Sequence, residues 1–110
     1  MYSEVISNQG FVNNYGAIIY KPTGNRTGYI KNIKFYNTTD SAWNLSLFRG
    51  SSTNPNKVPL YAFQLDSGDI VNDSEEYLLK AGDYLYAISD LADKVIFMVN
   101  GNEVSNDANK

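Results

Sequence analysis

The side chains able to do chemistry in this chain are carboxylates and phenols. Five acids fall close together: Asp66, Asp69, Asp73, Glu75 and Glu76. Oxygen donors at that density would suit a hard cation such as calcium, and two of them could act as a general acid and base. The spacing supports neither reading. The Asp-x-Asp-x-Asn-Gly loop of an EF-hand is missing, and no motif orients a carboxylate pair. A solvated run of turns is the simpler account. Nine tyrosines and one tryptophan raise a different chemistry, because an aromatic face beside a hydroxyl can stack on a sugar ring. Tyrosine is equally a favoured strand and interface residue, and clustered aromatic loops are not evident. Cysteine and histidine do not occur. That removes thiolate nucleophiles, Cys or His metal sites, disulfides and Ser-His-Asp triads. The expectation is a protein with no enzymatic activity, no cofactor and no metal.

The chain has 110 residues, 43% of them hydrophobic and 19% charged, which is enough for one domain with its own core. Nine basic against twelve acidic residues give a net charge of -3. No basic stripe exists to bind nucleic acid, and no polybasic cluster to dock on a membrane. The longest apolar run, Val95-Ile96-Phe97-Met98-Val99, is far below the roughly 20 residues of a membrane helix. Residues 1–8 lack a basic n-region and an apolar h-region, so no signal peptide is expected and synthesis is placed in the cytoplasm. Three Asn-x-Ser/Thr triplets, at Asn37, Asn44 and Asn72, are read as products of a chain with fourteen asparagines rather than as glycosylation sites.

No segment keeps a helical period over ten residues. Short runs rich in Tyr, Ile, Val and Phe alternate instead with clusters of Gly, Asn, Asp, Ser and Thr, the pattern of strands and turns. Six or seven strands and a shorter N-terminal one are expected. Ile30, Ile33 and Phe35 break the period of two, so a β-bulge near Lys31-Asn32 is needed to keep all three on one face. Trp43, Leu45 and Leu47 alternate with polar residues as a half-buried stripe. Residues 50–57 read as the longest loop, 90–93 as a helical turn or loop, and the last long strand ends at Asn100-Gly101. The fold class expected is all-β, a single antiparallel β-sandwich, jelly-roll-like or immunoglobulin-like. It spans 1–104, with a flexible tail at 105–110. Residues 1–15 form either an edge strand of this domain or an arm that pairs with a neighbour's sheet.

If the inward positions of these strands form the core, Tyr36, Phe48, Tyr84, Tyr86, Ile96 and Met98 face outward. Free monomers rarely expose aromatics so densely. The six are therefore candidate interface residues, the alternative being cover by the N-terminal segment or the 50–57 loop.

The order of four blocks resembles a family of small structural proteins of tailed-phage virions. The blocks are Ile18-Ile19-Tyr20-Lys21-Pro22-Thr23-Gly24, then Ile33-Lys34-Phe35-Tyr36-Asn37-Thr38-Thr39. Asp40-Ser41-Ala42-Trp43-Asn44-Leu45-Ser46-Leu47 follows, and then Leu79-Lys80-Ala81-Gly82-Asp83-Tyr84-Leu85 before the strand at 95–101. The resemblance implies a head decoration protein, a head-fibre component or a small tail or baseplate part, located in the virion. Its partners would be other virion proteins or further copies of itself, and it carries over no catalytic residue. Among these locations the head surface is favoured. The alternative from another class is a carbohydrate-binding module of a host-adhesion device.

Overall fold

β-branched and aromatic residues at alternate positions favour extended backbone, because each can pack on one face of a pleated surface. The computed structural model of the chain describes residues 3–90 and 93–106. Among them nine strands form and no helix: β1 (Ser3–Val12), β2 (Ala17–Tyr20), β3 (Arg26–Asn37), β4 (Trp43–Ser51), β5 (Asn54–Leu65), β6 (Ile70–Asp73), β7 (Tyr77–Leu79), β8 (Asp83–Ser89) and β9 (Val95–Ser105).

The strands make two antiparallel sheets. One has the order β1-β9-β3-β6, with β7 following β6 along the same edge of β3; the other has the order β2-β8-β4-β5. The pairing is nested. β1 pairs with β9, β2 with β8, β3 with β6 and β7, and β4 with β5. A chain doubled into one long hairpin and rolled so that successive pairs fall in alternate sheets gives this order. It is a jelly roll, with β6 and β7 sharing the place of one strand. Between the two sheets lies the core, where Ile30, Ile33, Phe35, Leu47, Leu85 and Val99 are fully buried.

The pairing of β3 with β9 runs through the middle of the first sheet for eleven registered residues. It shifts once, between Ile30 and Asn32, where Lys31 is the extra residue. That is the bulge required by the spacing of Ile30, Ile33 and Phe35, all three of which are 0% exposed. β9 does not stop at Asn100-Gly101. It passes straight through, with Gly101 opposite Ile30 at the bulge. A Cβ on Gly101 would lie 2.1 Å from the Tyr29 carbonyl oxygen and 2.9 Å from the Ile30 Cα. The glycine is there for the approach of one backbone to another, not for a turn.

Residues 50–57 are not a loop either. β4 and β5 form a hairpin in which Ser51 pairs with Asn54. Pro55 and Pro59 look like loop punctuation, but β5 is an edge strand, the one place in a sheet where a missing N–H costs little. Trp43 is half-buried, and its ring nitrogen donates to Thr39 Oγ1 at 2.7 Å. Residues 105 and 106, expected in the tail, are held: Ser105 pairs with Arg26 and the Asn106 N–H donates to the Asn25 carbonyl at 3.1 Å. Residues 107–110, and 91–92 within the expected turn at 90–93, lie outside the described residues.

Adding a methyl group at position 101 forces β3 and β9 apart at their most constrained point. Gly101→Ala is expected to lower unfolding free energy by about 1–3 kcal/mol, the usual cost of overpacking. Gly24→Ala, at a glycine with φ +55° and open space around its Cβ, is expected to cost about 1 kcal/mol or less. Urea denaturation of the two variants checks the order.

Candidate protein–protein interface

Residues directly opposite in an antiparallel pair share a face, so the register reads out what each sheet shows to its surroundings. On the outer face of the first sheet, one rung crosses all four strand positions: Phe11, Ile96, Tyr36 and Ile70. Phe11 is 51% exposed and Ile70 61%, while Ile96 and Tyr36 between them are half-buried. The next rung is mixed, running Gln9, Met98, Lys34 and Asn72. The one after it is polar, with Ser7, Asn100 and Asn32. Apolar surface returns at the far end, where Val5, Tyr29 and Leu78 are exposed. This face carries an apolar strip at each end and an amide-rich middle.

The second sheet differs. Its outer rung is Ile18, Tyr86, Phe48 and Pro59. Phe48 and Tyr86 meet edge to face with centroids 6.0 Å apart, a favourable arrangement of ring quadrupoles. Lys57 Nζ stands 4.6 Å over the Tyr86 ring, and the Tyr86 hydroxyl donates to the Tyr15 carbonyl at 2.8 Å. A side chain on Gly16 would collide with that hydroxyl, and one on Gly50 would collide with the Tyr84 ring at 2.4 Å. Both tyrosines are thus seated on glycines, and the Tyr86 ring is further engaged by Lys57 and Tyr15.

The structure therefore divides the six outward candidates. Tyr36, Ile96 and Met98 lie on the first sheet, Phe48, Tyr84 and Tyr86 on the second, with the core between them. They do not form one patch. Phe11, Ile18 and Ile70 were not singled out, yet all three are more than half exposed. Their place beside Ile96, Tyr86 and Tyr36 depends on cross-strand register, which no single segment of sequence encodes.

The acids are not gathered as a site. Among the described residues no three metal-ligating side chains converge. Asp73 instead joins the two sheets: its Oδ2 accepts from Tyr61 of β5 at 2.9 Å and from Tyr77 of β7 at 2.7 Å. Its Oδ1 accepts the Glu75 N–H at 3.0 Å. Asp66 and Asp69 shape a turn, with the Asp69 N–H donating to the Asp66 carbonyl at 3.1 Å. Glu76 meets Lys31 at 3.4 Å.

A second tyrosine–carboxylate clasp closes the opposite side of the sandwich. Tyr20 of β2 crosses over Gly28 and donates to Glu103 Oε2 at 2.8 Å. Arg26 lies 3.6 Å from Glu103 and 2.5 Å from Glu4, which offsets the cost of placing a carboxylate there. Burial, and then the hydrogen bond to a carboxylate, push the Tyr20, Tyr61 and Tyr77 phenols well above their ordinary value. At the end of β3, fully buried Asn37 does comparable work. Its amide nitrogen reaches the carbonyls of Ser41, Leu65 and Asp66, and its Oδ1 accepts from Thr39. The triplet that begins at Asn37 is therefore a structural clamp.

No protein-family model matches the chain, and no curated protein matches it in sequence. Solved structures do match, through their fold. Over 94% of this chain and 87% of the other, it is similar to a protein in the acid-stable capsid structure of Helicobacter pylori bacteriophage KHP30, at 14% identity and a TM-score of 0.54. The Drosophila NLP core, described for its pentamer formation and histone binding, matches over 96% of this chain and 100% of its own, at 10% identity and a TM-score of 0.53. A protein of the disulfide-linked pili of Bacillus endospore appendages matches over 94% and 87%, at 12% identity and a TM-score of 0.51.

The clasps make stability pH-dependent in a defined direction. The phenol pKa values are raised in the folded state, so their contribution is intact below the ordinary value of 10.0. It is lost as pH climbs above that, because the unfolded chain releases those protons first. In an absorbance titration of the phenolates, Tyr20, Tyr61 and Tyr77 are expected to ionise together with unfolding. Replacing all three by Phe should remove that late step and leave the earlier ionisations in place.

Proposed function

We propose that this chain is a non-enzymatic structural subunit of a viral particle. More narrowly, it is a head decoration or head-fibre component of a tailed phage. The observation that carries the reading is the outer face of the first sheet. There Phe11, Ile96, Tyr36 and Ile70 form an apolar rung across the whole sheet, where a free monomer would place polar residues. Such a rung has a use when another protein covers it. The fold agrees, since the jelly roll is an architecture of capsid and lectin domains. The similar chains come from a phage capsid, a protein described with pentamer formation and a pilus, each a setting of repeated subunits. The four sequence blocks that resemble small phage virion proteins add the tailed-phage assignment.

The mechanism is geometric. A rigid sandwich presents a fixed face to a lattice, and contacts of modest individual strength become firm when a particle repeats them. With no cysteine, no disulfide links the subunits. The sugar-binding alternative finds less support, because the Tyr86 ring and hydroxyl are engaged within the chain by Lys57, Phe48 and Tyr15.

Gold-labelled antibody against this chain, applied to purified particles from a culture carrying its gene, tests the proposal under the electron microscope. Regular labelling of particle heads is the expected result; particles that bear no label contradict it. A variant carrying Phe11→Ser, Ile96→Asn and Ile70→Ser is expected to fold, because all three side chains lie on the outer face. Its incorporation into particles should fall by about tenfold or more, which corresponds to about 1.4 kcal/mol of lost contact.

A further inference from the structure

A two-sheet sandwich has four edge strands, and an unprotected edge is a row of unpaired N–H and C=O groups ready to take another strand. Three of the four edges here are blunted. β5 contains Pro55, Lys57 and Pro59, and its register against β4 shifts twice. The edge shared by β6 and β7 consists of strands of four and three residues, interrupted by Ser74, Glu75 and Glu76. β2 has four residues and a register shift; the Ile19 carbonyl receives the Asn8 side-chain amide at 3.5 Å.

β1 is the exception. It has ten residues, pairs with β9 through ten consecutive positions without a shift, and contains no proline, lysine or arginine. Its one charge, Glu4, sits near one end and is met by Arg26 at 2.5 Å. Its outward side chains include Val5, 83% exposed, and Phe11, 51% exposed. The same side of the sandwich carries Tyr15 and Ile18, so four of the eight exposed large apolar residues among the described residues lie between positions 5 and 18.

We propose that a second copy of this chain pairs antiparallel along the free edge of β1, continuing the first sheet from one copy into the other across a twofold axis. β1 fits itself. With the axis at Asn8, Phe11 of each copy stands opposite Val5 of the other, and Ser7 opposite Gln9, all on the outer face. The two Glu4 residues fall at opposite ends of the pairing, so the like charges do not meet. A twofold contact of this kind closes on itself, leaving the Phe11–Ile70 rungs of both copies on one continuous outer surface. The pairing stands on the edge alone and holds whether or not the assembly is a virion.

Sedimentation over a micromolar-to-millimolar concentration series tests it. The wild-type chain is expected to rise from its monomer mass of 12.3 kDa to twice that. Ser7 and Gln9 are exposed, so the double variant S7K/Q9K is expected to keep its unfolding midpoint and remain at monomer mass, as lysines then face lysines across the edge. S7E/Q9E should do the same. An equimolar mixture of the two should recover the doubled mass, a result that a general loss of folding cannot produce. Ile70→Lys, on the same face but at the far edge, should leave the dimer intact. A wild type that stays at monomer mass throughout, a dimer that survives S7K/Q9K, a mixture that fails to recover, or a dimer lost in Ile70→Lys each overturns the proposal.

Discussion

The backbone contact between β3 and β9 is the constraint on which the rest of the structure depends. These strands occupy the middle of the first sheet, so their relative position sets where β1, β6 and β7 can pair. The bulge at Lys31 lets one strand keep Ile30, Ile33 and Phe35 on the core side, and Gly101 leaves room for the bulge. A slip of one residue would turn Ile30, Ile33 and Phe35 outward. The register thus fixes the core on one side and the apolar rung on the other.

Polar groups then decide which parts of the boundary are closed. Tyr20 with Glu103 ties the sheets together on the β1–β2 side, and Tyr61 and Tyr77 with Asp73 on the β5–β6 side. Asn37 ties the end of β3 to the end of β5. Among the described residues no buried side-chain nitrogen or oxygen lacks a partner, so these bonds anchor a specific packing without leaving a costly orphan. The carboxylates that looked most available for chemistry are spent on architecture.

Much of the fold was legible in the sequence, because it rests on local signals. Alternation in Trp43-Leu45-Leu47 and the irregular spacing of Ile30, Ile33 and Phe35 report strands and a bulge directly. What was not legible depends on partners distant in the chain. Pro55, within residues 50–57, signals a loop until β5 is known to be an edge. Asn100-Gly101 signals a turn until Tyr29 is known to lie against it. The outward residues were legible one strand at a time, which is why six of them looked like a set although they occupy opposite surfaces. Phe11 and Ile70 join Tyr36 and Ile96 only through register, and the jelly-roll order separates from the immunoglobulin order only through pairing.

Together these features describe a jelly roll with an apolar rung across one outer face and one long, regular edge strand, the two surfaces on which the proposed assembly rests. The most direct test of that account is amide hydrogen exchange, followed peptide by peptide at low and at high protein concentration. The account predicts that residues 3–12 gain protection as concentration rises, while residues 54–65 of the blunted edge exchange at an unchanged rate. Protection gained by residues 54–65 instead, or no dependence on concentration anywhere in the chain, would contradict it.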